Sequence, residues 1–182
     1  RKEDRIGILV FAGEPFIQCP LTIDKSILKS LISEIKVASK EFVGTAIGMD
    51  IANGTNRFRS SDVESKVMIL LSDGSNNSGE IDPITAAELA SQFGIKIYTI
   101  GAGTDQAFTK IPGRGLIVNE IDESTLKKIA NETGGEYFRA TDINALESIY
   151  LKIDELERSE IEVNEYTPVS YTHLTLPTTG IV

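Results

Sequence analysis

The sequence predicts an α/β domain: an open, mostly parallel sheet with helices on both faces. Three observations carry that expectation. Short apolar runs alternate with amphipathic stretches along the chain, the runs end on Gly or Asp, and apolar residues make up 41% of 182 residues. Continuous apolar runs read as strands buried on both faces, and strands that alternate with helices imply crossover connections and parallel pairing. The length suffices for one such domain and falls short of two of ordinary size.

The elements follow in order. "RIGILVFAG" (Arg5 to Gly13) reads as a buried strand closed by glycine. "EPFIQCPLT" (Glu14 to Thr22) contains Pro15 and Pro20, which confine it to a sheet edge or a loop. "TIDKSILKSLISEIK" sets Ile27, Leu28, Leu31, Ile32 and Ile35 at helical spacing behind Asp24 as the cap. "EFVGTAIGMDIANGTNRF" (Glu41 to Phe58) carries Ile47, Ile51 and Phe58 on one helical face, with Gly44 and Thr45 where a capping residue belongs. A buried strand "KVMILL" comes next. In "DPITAAELASQFG", Asp82 caps, Pro83 takes the first helical position and Gly94 stops the helix. "IKIYTIGAG" (Ile95 to Gly103) is a further buried strand.

From Thr104 to Glu120 the chain is a loop or hairpin with turn residues at Pro112, Gly113 and Gly115. Asp122 then caps the "STLKKIANET" helix, "EYFRA" gives a short strand, and Asp142 opens an amphipathic helix whose stripe is Leu146, Ile149, Ile153 and Leu156. "EIEVNEY" alternates polar and apolar residues and reads as a last strand or an extended linker. No internal repeat occurs.

Composition narrows the function. A net charge of −9 with no Lys/Arg cluster argues against nucleic acid or an acidic lipid surface as partner, and makes a cation the more natural guest. The single cysteine, Cys19, has no internal disulfide partner, forms no Cys-based zinc site and reads as a small buried apolar residue. No apolar run approaches the roughly 18 to 20 residues that span a bilayer, so this segment itself contains no membrane helix. The chain opens on "RKEDR" without an initiator methionine and enters a strand at once, from which we expect a piece of a longer protein.

The end of the chain is of another kind. "VSYTHLTLPTT" (Val169 to Thr179) has no charge and no periodicity, and resembles the in-frame translation of a transposon-type sequencing adapter. His173, the only histidine, lies inside it and is therefore set aside as a ligand or a base. The expected organisation is one domain over residues 1–165, followed by a linker remnant and a non-native, disordered tail over 166–182.

In an open parallel sheet, ligands bind beyond the carboxyl ends of the strands. Asp73, the Gly44/Thr45 helix start and Gly101 to Gly103 all fall there. A carboxylate and a hydroxyl at such an edge suit a hard cation such as Mg²⁺, which takes few protein oxygens and keeps several waters. Asp73 would supply charge and Thr45 a neutral oxygen. Each has a plainer reading: Asp73 in "SDG" as a turn residue, Thr45 as a helix cap, Asn76 and Asn77 as loop polar groups.

"DRIGILVFAG", "GTAIGMDIA", "KVMILLSDGSNNSG", "AAELASQFGIKIYTIGAG" and "LKKIANETGGEYFRATD" occur in the order seen in von Willebrand factor A (VWA) domains, and from about Arg5 to Glu165 the chain resembles that family. The variant most similar is that of the membrane-anchored bacterial aerotolerance (Bat) proteins. The resemblance implies a doubly wound, Rossmann-like fold and a metal-ion-dependent adhesion site (MIDAS). Such a site uses an Asp-x-Ser-x-Ser loop after the first strand, a threonine opening a later helix and an aspartate after the "SDG" strand. The threonine corresponds to Thr45 and the aspartate to Asp73, with Gly44, Ser72 and Gly74 supporting the binding loops. No Asp-x-Ser-x-Ser occurs before Arg5. The central first strand and three ligands are thus expected to be missing from this chain, which should be of low stability, aggregation-prone and weak or inactive in binding Mg²⁺.

The resemblance further implies a protein-binding module and no enzyme. Mg²⁺, or Mn²⁺ or Ca²⁺, would leave one coordination position for an acidic side chain of a protein partner. Membrane anchoring would come from segments outside this chain, in a bacterial envelope complex linked to aerotolerance or stress, with the domain on the periplasmic face rather than the cytoplasmic one. Two alternatives remain: a scaffold VWA domain without a working metal site, and a Mg²⁺-dependent nucleotide-binding enzyme. Against the latter, the chain has no G-x-x-x-x-G-K-[ST] loop, and "IGAGTDQ" lacks the third glycine of a dinucleotide loop.

Overall fold

The structure is a computed structural model in which residues 4–12, 14–35, 46–59, 63, 65–73, 79–103, 107–111, 115–119 and 121–165 are described. The chain divides into two compact units, Arg1–Ile149 and Tyr150–Val182. The described elements of the first are β1 (Ile6–Ala12), β2 (Glu14–Thr22), α1 (Lys25–Glu34), α2 (Ile47–Phe58), β3 (Lys66–Ser72), α3 (Pro83–Gln92), β4 (Ile95–Ala102), β5 (Ala107–Ile111), β6 (Gly115–Asn119), α4 (Glu123–Glu132) and β7 (Tyr137–Ala140). The last helix, α5 (Ile143–Glu165), begins in the first unit and supplies the described residues of the second.

Strand β4 lies between β3 and β7, parallel to both, with Ser72 opposite Gly101 and Ala102 opposite Ala140. This is the predicted parallel sheet. Helix α3 packs between α2 and α4, and α4 also packs on β4, which places these three helices in one layer. The core fills the space between layer and sheet: Ile47 and Ile51 of α2, Leu70 of β3, Ala86, Ala87 and Ala90 of α3, Ile95 and Ile97 of β4, and Leu126 and Ile129 of α4. The three alanines let α3 approach its neighbours closely. Two threonines satisfy their own polarity inside this core: Thr99 Oγ1 donates to the Leu126 carbonyl at 2.9 Å, and Thr133 Oγ1 accepts from the Ile97 amide at 3.0 Å.

The helix boundaries follow from caps. Asp24, Asp82 and Asp122 each accept from backbone amides of the first turn, and Asp142 accepts from the Ala145 amide, as their positions predict. Pro83 opens α3, and Gly94, with φ +65°, follows its end. Strands β5 and β6 pair antiparallel, and Cys19 is buried.

Four expectations are corrected. Helix α2 starts at Ile47 with Ala46 as its N-cap and no side-chain cap bond, so the described cap is neither Gly44 nor Thr45. Residues 160–165, "EIEVNE", continue α5 and are no strand or linker, because nothing between Asp142 and Glu165 breaks a helix and a short alternation does not override good helix formers. Strand β3 is only half buried: Leu70 and Ser72 face the helix layer, whereas Ile69 and Leu71 on the opposite face are exposed. Strand β1 is likewise no fully buried strand, since Ile6 is exposed and its central residues are half-buried. Exposure follows the face, which the helix layer covers on one side of β3 and leaves uncovered on the other. Among the described residues β1 pairs only with β2, antiparallel, and β3 only with β4, so each strand also has one edge without a neighbour. The predicted boundary at 165/166 and the tail over 166–182 lie outside the described residues.

Candidate metal-binding edge

Strand β3 delivers Asp73 directly past its last paired residue. Ser72, opposite Gly101, points into the helix layer and is buried, so the alternation of the strand turns the next side chain outward, and Asp73 is exposed. The chain then returns through residues 79–82 into α3. Gly79 has φ +100°, a conformation that L side chains rarely adopt, and a Cβ there would lie 2.9 Å from the Ala46 side chain. At Gly48 a Cβ would lie 2.0 Å from the Ile81 carbonyl oxygen. The first turn of α2 therefore rests on the loop that leaves β3, and only glycine permits the approach.

Six residues further along α2, Gly54 lies against Met68 of β3. From loop contact at Gly48 to mid-strand contact at Gly54, α2 runs antiparallel to β3. Its N-terminus thus stands at the carboxyl end of the sheet, the same end as Asp73. The Asp73 strand end and the described start of α2 thus lie at one end of the sheet. Gly101 closes the same edge from β4, where a Cβ would lie 2.8 Å from the Tyr137 hydroxyl. Gly44, Thr45 and Gly74 lie outside the described residues, as do Asn76 and Asn77.

Neighbouring charges at this end of the sheet are self-paired. Lys127 Nζ donates to Glu123 Oε2 at 2.8 Å and holds the Glu123 carboxyl below its ordinary range, and Arg139 Nε lies 3.9 Å from Glu123 Oε1. Lys127 also stands 5.0 Å above the Tyr137 ring. These groups stitch α4 to β7 and are not directed at Asp73.

One residue absent from the sequence-based candidates stands out. Asp50, in the first turn of α2, is 3% exposed, and neither carboxylate oxygen has a hydrogen-bond partner among the described residues. Burial pushes its carboxyl up to about 7. The signal was available in the sequence: Ile47, Ile51, Gly54 and Phe58 define the inward arc of α2, and at 100° per residue Asp50 falls on the flank of that arc. Among the described residues no group of three or more His, Cys, Asp or Glu could hold a metal ion. Nor is any helix long and apolar enough to cross a membrane.

Comparison with known proteins places this edge in context. The sequence model of the von Willebrand factor type A domain matches residues 1–152. An uncharacterized protein of Borreliella burgdorferi is 29% identical over 149 residues, which cover 78% of this chain and 43% of that protein. The chain spans about half the length, or less, of the curated relatives it matches. Among solved structures, BatB from Bacteroides thetaiotaomicron superposes with a TM-score of 0.71 at 27% identity, over 87% of this chain and 82% of that one. An aerotolerance-related membrane protein from Bacteroides fragilis gives 0.68 at 27% identity, over 85% and 81%. Proximal thread matrix protein 1 of the mussel byssus, solved with a zinc-occupied MIDAS motif, shares the fold with a TM-score of 0.66 at 24% identity, over 84% of this chain and 34% of that one. With the family match running over most of its length, the chain belongs to the von Willebrand factor type A domain family and has that family's α/β, Rossmann-like fold.

Proposed function

We propose that the natural protein carrying this chain is a metal-ion-dependent protein-binding module of a membrane-anchored bacterial envelope protein related to aerotolerance or stress. The observation that carries the reading is Asp73, exposed at the carboxyl end of a parallel strand beside the first turn of α2. An exposed carboxylate at a strand end suits a hard divalent cation that keeps most of its waters. Asp73 and Thr45 would hold Mg²⁺, or Mn²⁺ or Ca²⁺, with Gly44, Ser72 and Gly74 shaping the loops. The zinc-occupied motif of the mussel protein supports a divalent ion at this place in the fold. An acidic side chain of a protein partner completes the coordination shell, and no reaction is catalysed.

Two features support a longer natural chain with an apolar strand and an Asp-x-Ser-x-Ser loop ahead of Arg5. Strands β1 and β3 each have an edge without a neighbour among the described residues, and the curated relatives are about twice as long as the matched stretch. Likeness to the aerotolerance-related membrane protein from Bacteroides fragilis supports anchoring through segments outside residues 1–182. Placement of this domain on the periplasmic face is part of the same proposal. A domain over residues 1–165 and a non-native tail over 166–182 belong to the same reading.

Asp73→Ala in the natural protein is expected to abolish divalent-cation-dependent capture of its partner while the circular dichroism spectrum stays unchanged. Partner binding that persists in EDTA would overturn the reading. The alternative is a scaffold VWA domain with no working metal site. The residues encoded ahead of Arg1 discriminate: an Asp-x-Ser-x-Ser after an apolar strand supports the working site, and its absence supports the scaffold.

A further inference from the structure

Helices α1, α3 and α4 open on an aspartate that caps them, whereas Ala46 offers α2 no side-chain cap. Contact holds the first turn of α2 instead. Gly48 is pressed to the Ile81 carbonyl and Gly79 to the Ala46 side chain, and the Asp50 amide closes the turn on the Ala46 carbonyl at 3.0 Å. The same turn encloses Asp50 itself, 3% exposed and with neither carboxylate oxygen partnered among the described residues. A carboxylate buried without a donor keeps its neutral form, because ionisation forfeits water and gains nothing in exchange. A seated turn and an ionised Asp50 therefore oppose each other.

Nearby charges do not relieve the conflict. At 100° per residue Asp50 lies nearly opposite Gly48 around the helix, and α2 packs against α3, β1 and β2 and touches Met68 of β3. Strand β1 has no ionisable side chain, β2 contains Glu14 and Cys19, β3 contains Lys66, α3 contains Glu88, and the loop before α3 contains Glu80 and Asp82. Arg57 and Arg59 stand at the far end of α2 itself. None of these groups sets the acidity of Asp50: burial alone pushes its carboxyl up to about 7.

We propose that the first turn of α2 is a proton-operated latch: it stays seated on the loop leaving β3 while Asp50 is protonated, and lifts to admit water when Asp50 ionises. The turn stands at the same end of the sheet as Asp73, so proton loss loosens one wall of that edge. The device needs no bound metal and is independent of the reading of Asp73 as a ligand. In acid both the seated and the lifted forms are protonated, and nothing favours lifting. As pH rises from about 4 toward about 7, the lifted form, its carboxyl in water, ionises first, and its share grows about tenfold per pH unit. Above that window both forms are ionised and the share levels off.

The test is hydrogen exchange read by NMR on the 182-residue chain, as wild type, Asp50→Asn and Asp50→Ala, from about pH 5 to about pH 8 in urea below the unfolding transition. Protection of the wild-type Asp50 amide, corrected for the intrinsic exchange rate, is expected to fall about 100-fold between about pH 5 and about pH 7. It should change little with urea, as an opening that exposes little surface does. The Ile97 amide, which donates to Thr133 Oγ1 at 3.0 Å inside the core, is the reference; it should stay more protected at every pH and follow the urea dependence of global unfolding. In both variants the fall with pH at position 50 should vanish, and the alanine variant keeps the test informative if the asparagine amide disturbs folding. An Asp50 amide that exchanges at the rate and with the urea dependence of Ile97 overturns the latch, since α2 then opens only when the whole fold does. A pH-dependent local opening that persists in both variants overturns Asp50 as its trigger. Neither result touches the metal reading, which Asp73→Ala tests separately.

Discussion

The part of the first unit built on β3, β4 and β7 and the part built on β1, β2 and α1 contain the same kinds of apolar residue and treat them differently. In the former, Ile95, Ile97, Ile100, Leu126 and Ile129 are almost wholly inaccessible. In the latter, Ile6, Ile23, Ile27, Ile32 and Ile35 are all exposed, and Leu28 is the buried residue of α1. Hydrophobicity does not separate the two; cover does. Helices α2, α3 and α4 roof one face of the parallel sheet, whereas α1 rests on a two-stranded ribbon whose β1 edge has no described partner.

The largest expected effect concerns the helix that touches both parts. Asp50 titrates at about 7 in the folded chain, against roughly 3.9 for an unfolded aspartate. Below both values the folded and unfolded states are protonated and no difference arises. As pH rises from about 4 to about 7, the unfolded state ionises while the folded state holds its proton, so stability falls, by up to on the order of 4 kcal/mol, and levels off above that window. Asp50→Asn removes this loss. In metal-free urea titrations at several pH values, the variant is expected to lack this fall between about pH 4 and 7 and to exceed the wild type at pH 8. Parallel profiles would mean that water or another donor reaches the carboxylate.

The second effect sets the two parts against each other. Ile97→Ala removes a fully buried side chain from β4 and is expected to cost about 3 kcal/mol, because the packed helix layer cannot collapse into the space. Ile27→Ala on α1, where the residue is 49% exposed, should change stability by no more than about 0.5 kcal/mol. Urea midpoints measure both. Equal losses would erase the distinction and show that α1 is packed as firmly as the roofed sheet.

How far the sequence shows this division depends on the range of the force concerned. Local chemistry was legible: Asp82 with Pro83 opens α3 as expected, Gly94 follows its end, and the run from Ile95 is β4. Cover was not. "KVMILL" has the pattern of a strand buried on both faces, yet Ile69 and Leu71 are exposed, because burial on that face depends on elements distant in sequence. Residues 160–165 misled in the other direction, their alternation losing to a helix already running from Ile143. At the sheet edge, Asp73 was singled out from its place at the end of an apolar run together with the family resemblance, whereas Asp50, on the flank of the apolar arc that defines α2, was passed over. An acidic residue flanking an apolar arc is the pattern to look for.

The smallest effect on stability is the most informative about what the uncovered part is for. Ile and Ser have similar helix propensities, and Asp24 caps α1 whatever follows, so Ile27→Ser with Ile32→Ser changes apolar surface while leaving the helix signals intact. In the 182-residue chain both side chains are already exposed, and the pair should shift the urea midpoint by no more than about 0.5 kcal/mol in stability. Light scattering on heating should nevertheless fall, since a contiguous apolar patch promotes association. The same pair placed in the natural protein at the length of its relatives separates two origins of the patch. If further chain covers α1, each serine forfeits burial worth roughly 1.5 to 3 kcal/mol and the long protein is destabilised where the short one is not. If α1 stays open in the long protein, both chains tolerate the pair equally, and the apolar face of α1 is then a surface kept exposed by the fold and not one waiting for the rest of its own chain.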